Sequence, residues 1–177
     1  MSQRWDQQGV PHKGWALLDV TDEGDACATC EMCGKQDIRY VHHMRHADHP
    51  DLDVGCVCAE RMSGDYVTHR RLENQLRSKA RSKRGWLGRA WLTSLRGNPR
   101  IKVNGYYLSI FPNKFNVSRW SYLIVGRGHQ QFSKATYPHE AGAKLALFDA
   151  FWELTKGTLG RDPPRKEHGT FNYNQDY

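Results

Sequence analysis

Apolar and polar positions along the chain change their period several times, and the changes outline its elements. Ile38-Arg39-Tyr40-Val41-His42-His43-Met44 is β-branched and aromatic enough to predict a strand. Turn chemistry gathers from Asp48 to Asp51 around Pro50, and Leu52-Asp53-Val54 can return as the partner strand. Ala59-Glu60-Arg61-Met62 then begins a short helix. From His69 to Arg84, Leu72, Leu76 and Ala80 recur every four residues, which predicts a helix with a narrow apolar stripe. Gly85 ends it. Trp86, Leu87, Trp91, Leu92 and Leu95 form a second, more apolar helical patch, which Arg96-Gly97-Asn98-Pro99 breaks.

Beyond Pro99 the period becomes two. Ile101-Lys102-Val103 and the run from Tyr106 to Phe111 flank Asn104-Gly105, a hairpin signal because both turn residues need positive φ. Trp120 to Val125 make a third strand, and Gln130-Gln131-Phe132 can make a fourth. A helix follows, with Pro138 near its first turn and Glu140 placed favourably against the dipole. Ala141, Leu145, Phe148 and Trp152 lie on one face, widened by Leu147, Phe151 and Leu154, so the helix should cover one side of the sheet. From Gly157 onward the chain is polar and reads as a tail, flexible or ordered on a partner. The organisation expected is a module over 1–68, a helical connector over 69–98, a βββα module over 99–156 and a tail over 157–177.

Composition narrows the class. Of the 177 residues 38% are hydrophobic, and six Trp, eight Tyr and six Phe argue for a packed core rather than wholesale disorder. No apolar stretch approaches the roughly 18 residues that span a bilayer, and Met1 to Gln7 lack an apolar signal region. A membrane protein and a secreted one are not expected; a cytoplasmic one is. The net charge of +7 is unevenly spread. Residues 1–68 hold 6 Lys/Arg against 12 Asp/Glu, residues 69–102 hold 11 against the single acid Glu73, and residues 103–177 hold 9 against 6. Those segments carry −6, +10 and +3, so the basic character belongs to the connector, which points to a polyanion. Arg70, Arg71, Arg77, Lys79, Arg81, Lys83 and Arg84 are the candidate phosphate-binding residues.

All five cysteines fall between positions 27 and 58. An odd number at tight spacing suits metal binding better than disulfides. Cys30-Glu31-Met32-Cys33-Gly34 has the form of a zinc knuckle, and Cys56-Val57-Cys58 follows 22 residues after Cys33. Knuckle, hairpin, then a ligand at a helix start is the order of a treble-clef finger. Cys30, Cys33 and Cys58 are the first three ligands of a Zn²⁺ ion. Cys56 is the simplest fourth, His42 competes with it, and Cys27 raises an iron–sulfur alternative that the CxC spacing disfavours. The run CxxCG…IRYVHxMxH…VGCVCAERM resembles the zinc-binding segment of uncharacterised bacterial and phage-type proteins. That resemblance covers residues 15–68 and implies a metal site. The strand order and Tyr-rich sheet of the C-terminal module look like small DNA-binding modules such as AP2-type domains, and are similar to double-stranded-RNA-binding domains.

The fold class expected is therefore α+β: a small treble-clef-like zinc module, a basic helical connector and a βββα module. Nucleic-acid binding through phosphates is the first expectation, DNA or RNA. A protein-interaction adaptor or inhibitor of a host or defence complex is the second. A third is a metal-dependent hydrolase built on His42, His46, Asp48 and His49, although Met44 replaces the first ligand of the HxHxDH string. Nothing else along the chain resembles catalytic machinery: no GxSxG elbow, no phosphate-binding glycine loop.

Overall fold

A bulge hides the alternation of the first strand. β1 (Ala16–Asp22) pairs antiparallel with β2 (Tyr40–His46), and its register slips between Leu17 and Asp19. Leu17 and Leu18 stand side by side as a result, so period-two reading passes this strand over. β2 pairs in turn with β3 (His49–Val54), completing a three-stranded sheet with β2 at its centre. Pro50 is tolerated because β3 is an edge strand. The computed structural model describes residues 4–155; among them it is a mixed α+β fold with three α-helices and two antiparallel sheets.

α1 (Cys56–Ser63) begins three residues before the sequence reading placed it. Gly55 enters it in an extended conformation, and Gly64 closes it at φ +78°, its N–H donating to the Glu60 carbonyl. The helix lays Cys58, Ala59 and Met62 into a core shared with Trp15, Met32, Met44, Leu52 and Val54. α2 (Thr68–Arg84) starts behind Asp65, whose Oδ1 accepts from the N–H groups of Val67 and Thr68 at 2.9 Å each. Its stripe of Leu72, Leu76 and Ala80 is half-buried, and His69 is its one buried residue.

The chain divides into two compact units between Ala80 and Arg81, inside α2. In the second unit β4 (Leu92–Thr93), β5 (Pro99–Val103), β6 (Tyr106–Pro112), β7 (Trp120–Gly126) and β8 (His129–Phe132) form an antiparallel meander in chain order. α3 (Glu140–Thr155) packs on β6 and β7. Leu147, Phe148 and Phe151 bury completely against Leu108, Ile110 and Ile124. The sheet thus has five strands, where the sequence predicts three and allows a fourth. The tail expected over 157–177 lies outside the described residues.

One expectation fails plainly. Residues 86–95 are not a second helix but a series of turns leading into β4. Gly85 and Gly88 each weaken a helix by about 1 kcal/mol. Trp86 gains more elsewhere: it is fully buried against Phe148 and donates its indole N–H to the Lys144 carbonyl at 2.8 Å. Leu87, Leu92 and Leu95, which should have shared a buried face, are exposed.

Asn104 and Gly105 turn with φ of 50° and 81°, as the Asn-Gly pair predicts. Gly126, at φ +154°, is required for a different reason. A Cβ there would lie 2.5 Å from the Gly105 carbonyl oxygen and 2.7 Å from the Tyr106 Cα, both backbone atoms that cannot step aside. Gly128, at φ +74°, has nothing within 4 Å of the same position. Gly126→Ala should therefore cost more than about 3 kcal/mol, against about 1–2 kcal/mol for Gly128→Ala. Denaturant unfolding of the two variants checks this, and equal losses would refute the close approach.

Candidate functional site

The cysteines are brought together by two short backbone devices. In the first, the knuckle, the Gly34 N–H donates to the Cys30 carbonyl at 2.8 Å and the Cys30 N–H to that of Lys35 at 2.8 Å. Gly34 takes φ +73° to make the turn. The Glu31 N–H donates to the Asp53 carbonyl at 2.9 Å, and the Asp53 N–H to the Glu31 carboxylate at 2.7 Å, which fixes the knuckle on β3. The second device is the start of α1, where Gly55 turns the chain and presents Cys56 and Cys58 in the first turn.

Those two cysteines do not face the same way. Residues two apart on a helix point about 200° apart. The sulfurs of Cys30, Cys33 and Cys58 all lie within 4.8 Å of one another. Cys56 instead joins His42 of β2 and Glu73 of α2, whose ligand atoms likewise lie within 4.8 Å of one another. The three thiols, Cys56 and Glu73 line a cavity of about 380 Å³, together with Lys35, Asp37, Arg39, Tyr40 and Arg77, while His42 lies outside its lining. Cys27 is exposed and belongs to neither.

In the thiol group, a hydrogen bond from Cys58 holds the Cys30 thiol down to about 5, helped by backbone N–H groups of Gly55, Cys33 and Met32 and opposed by burial. Cys58 moves up, first because its proton is shared with Cys30, then because it is buried. The two shifts run in opposite directions because the sulfurs compete for a proton, and a cation bound to both would remove that competition. Three thiolates within bonding reach of one point are positioned to bind a metal ion.

The second group has one buried member, His42, and two half-buried ones, Cys56 and Glu73. His42 has no exposed surface, and its Nδ1 lies 3.1 Å from His69 Nδ1. His69 Nε2 lies 2.9 Å from Ser63 Oγ, whose single proton goes to the Ala59 carbonyl. With the Ser63 proton on the Ala59 carbonyl, Ser63 accepts from His69 Nε2–H, His69 Nδ1 accepts from His42 Nδ1–H, and His42 Nε2 carries a lone pair; in the opposite tautomer pair His42 Nε2–H points toward Glu73. That atom has no hydrogen-bond partner, and the nearest carboxylate oxygen, Glu73 Oε2, is 3.6 Å away. Burial lowers the pKa of both histidines and keeps them neutral. Burial, with the charges of Glu73 and Glu60 behind it, pushes the Cys56 thiol up to about 12.

The other sequence candidates disperse. His46 and His49 pack against Trp15 at 5.2 and 5.3 Å, the Asp48 N–H donates to His46 Nδ1, and none of the three joins a metal-ligating group among the described residues. Of the seven basic residues on α2, Arg70 pairs with Glu60, Arg77 with Glu73 and Lys83 with Asp149. Lys79 is half-buried and engaged. Arg71, Arg81 and Arg84 are exposed and form no ion pair among the described residues.

Sequence reading missed Glu73 as a ligand candidate and missed the outer face of the second sheet. His69, Leu72, Glu73, Leu76 and Ala80 share one helical stripe, and an acid on an apolar stripe is the signal that could have found Glu73. On the sheet face opposite α3, cross-strand registers align Arg100, Ser109, Leu123 and Phe132 in one row and Lys102, Tyr107, Val125 and Gln130 in the next. Lys102, Tyr107, Val125, Gln130 and Phe132 are exposed, and the Lys102 ammonium sits 4.9 Å from the Tyr107 ring centroid.

No protein-family model matches the chain, and no curated protein or solved structure matches it. No helix among the described residues is long and apolar enough to cross a membrane. Metal binding can be assigned residue by residue. Cys30→Ser, Cys33→Ser and Cys58→Ser should each lower the metal content of the purified protein, whereas Cys27→Ser should leave it unchanged. Elemental analysis of the four variants checks the assignment, and metal lost with Cys27 would overturn it.

Proposed function

We propose that this chain is a zinc-stabilised nucleic-acid-binding protein that works mainly through phosphate contacts. The single observation carrying this reading is the sheet face of the second unit that α3 leaves uncovered. There Lys102 stands beside Tyr107 in one row, and Arg100 and Phe132 mark the two ends of the next, as the strand register sets them. Basic side chains on a twisted antiparallel face can follow a phosphate backbone, and exposed aromatics offer stacking surfaces worth about 1–3 kcal/mol per base. The opposite face is sealed by Leu147, Phe148 and Phe151, so the sheet presents its polar side without loss of core.

Charge on α2 is a separate candidate, and it is unequally available. Arg71, Arg81 and Arg84 are available for phosphates, while Arg70, Arg77 and Lys83 are already neutralised by Glu60, Glu73 and Asp149. Zinc is the ion we assign to the thiol group, in a treble-clef-like module of knuckle, hairpin and helix start; thiolates suit it, and it needs no redox partner. Its role in this reading is to hold the first unit together. The compartment inferred is the cytosol, where such thiols remain reduced.

Fluorescence anisotropy with labelled duplex and single-stranded DNA and RNA tests the reading. Binding at about 50 mM salt should weaken steeply as salt rises, with a log–log slope of about 0.7–0.9 per engaged phosphate. Lys102→Gln with Tyr107→Ala should weaken binding most. The triple change of Arg71, Arg81 and Arg84 to Gln should flatten the salt slope, and Arg70→Gln or Arg77→Gln should change it little. Absence of binding to every probe at that salt sinks the proposal.

A further inference from the structure

We propose that the first unit holds a second metal site, made by His42 Nε2, Cys56 Sγ and a Glu73 carboxylate oxygen. It is separate from the thiol group and does not depend on the nucleic-acid reading. Its ligands come from three elements: β2, the start of α1 and the second turn of α2.

The case begins with an orphan. His42 Nε2 is fully buried and makes no hydrogen bond, which destabilises a folded protein when nothing compensates it. With the Ser63 proton on the Ala59 carbonyl, the chain through His69 leaves a lone pair on that atom. It faces the Glu73 carboxylate, which also only accepts. Two acceptors set 3.6 Å apart in a buried corner call for a cation between them. The spacing fits one, since donors about 2.1 Å from a tetrahedral ion stand about 3.4 Å apart. The His42 Nδ1–H bond to His69 is the outer hydrogen bond that orients a metal-bound imidazole. Glu73 is held from its other side by Arg77, and Arg70 and Glu60 pair beside Cys56.

The donor set names the class of ion. One imidazole nitrogen, one thiolate and one carboxylate suit a borderline divalent transition metal such as Zn²⁺ and discriminate against Mg²⁺ and Ca²⁺. Three protein ligands leave one position for water or an anion. Cys56 and Glu73 line the 380 Å³ cavity, whose other charged residues are Lys35, Asp37, Arg39 and Arg77. The site therefore has the composition of an exchangeable centre, in contrast to the all-sulfur group beside it.

Native mass spectrometry of the full chain saturated with Zn²⁺ tests this. Two ions per chain are expected in the wild type. Glu73→Gln and Cys56→Ser should each reduce the number to one. Substituting Co²⁺ separates the two groups: Glu73→Gln should keep the sulfur-to-cobalt charge-transfer bands of the three-thiolate group and lose the second ion. One ion per chain in the wild type, with Cys56→Ser losing it and Glu73→Gln retaining it, would mean that Cys56 swings across to close a four-sulfur site; this overturns the proposal. Two ions retained in Glu73→Gln overturn it equally.

Discussion

Thiolates repel one another, and the first unit is built around three cysteine sulfurs held within 4.8 Å. The knuckle sets two of them and α1 the third, so whatever binds the sulfurs also fastens the knuckle loop to the helix. The surrounding core is small: Trp15, three methionines, Leu52, Val54 and Ala59 make up most of it. A unit of about 80 residues buries too little surface for such a core to carry it comfortably. A metal ion held by these sulfurs would supply what packing does not, because the liganded arrangement exists only in the folded chain. The hairpin, α1 and the start of α2 all take their positions from that junction, and the His42–Glu73 corner lies where they meet.

Much of this was legible in the chain itself, and the failures have physical causes. The Cys30–Cys33 knuckle, the β2–β3 hairpin, the Asn104–Gly105 turn and α3 are local patterns in which propensity, spacing and turn chemistry agree. Cys56 and Cys58 were read together because their spacing is short. Starting the helix at Cys56 rather than Ala59 turns the two side chains to opposite sides and creates two groups from one string. Glu73 was hidden by its neighbours: one acid amid seven cations on α2 reads as solvated surface until its place on the inward stripe is counted. The helix expected at Trp86–Leu95 lost to a long-range contact, the indole of Trp86 seated under α3, which no local pattern reveals.

Charge follows the same division between local and tertiary information. Summing side chains by segment located the basic residues correctly but treated them as equivalent. Three of the seven on α2 are paired with carboxylates, two of which, Glu60 and Asp149, stand far from their partners in sequence. Under the nucleic-acid reading the candidate surfaces are therefore a subset of α2 and, separately, a sheet face defined by register. That face emerges only once β5 to β8 are aligned, because its residues are scattered over 33 positions from Arg100 to Phe132.

The proposed dependence of the first unit on a metal held by its three sulfurs can be read most directly by amide hydrogen exchange on the full chain before and after treatment with a chelator. Protection across residues 40–63 should collapse on removal, while that across residues 99–155, whose core contains no ligand, should persist. Protection across residues 40–63 that survives complete removal of metal would contradict the central role given to the sulfur group.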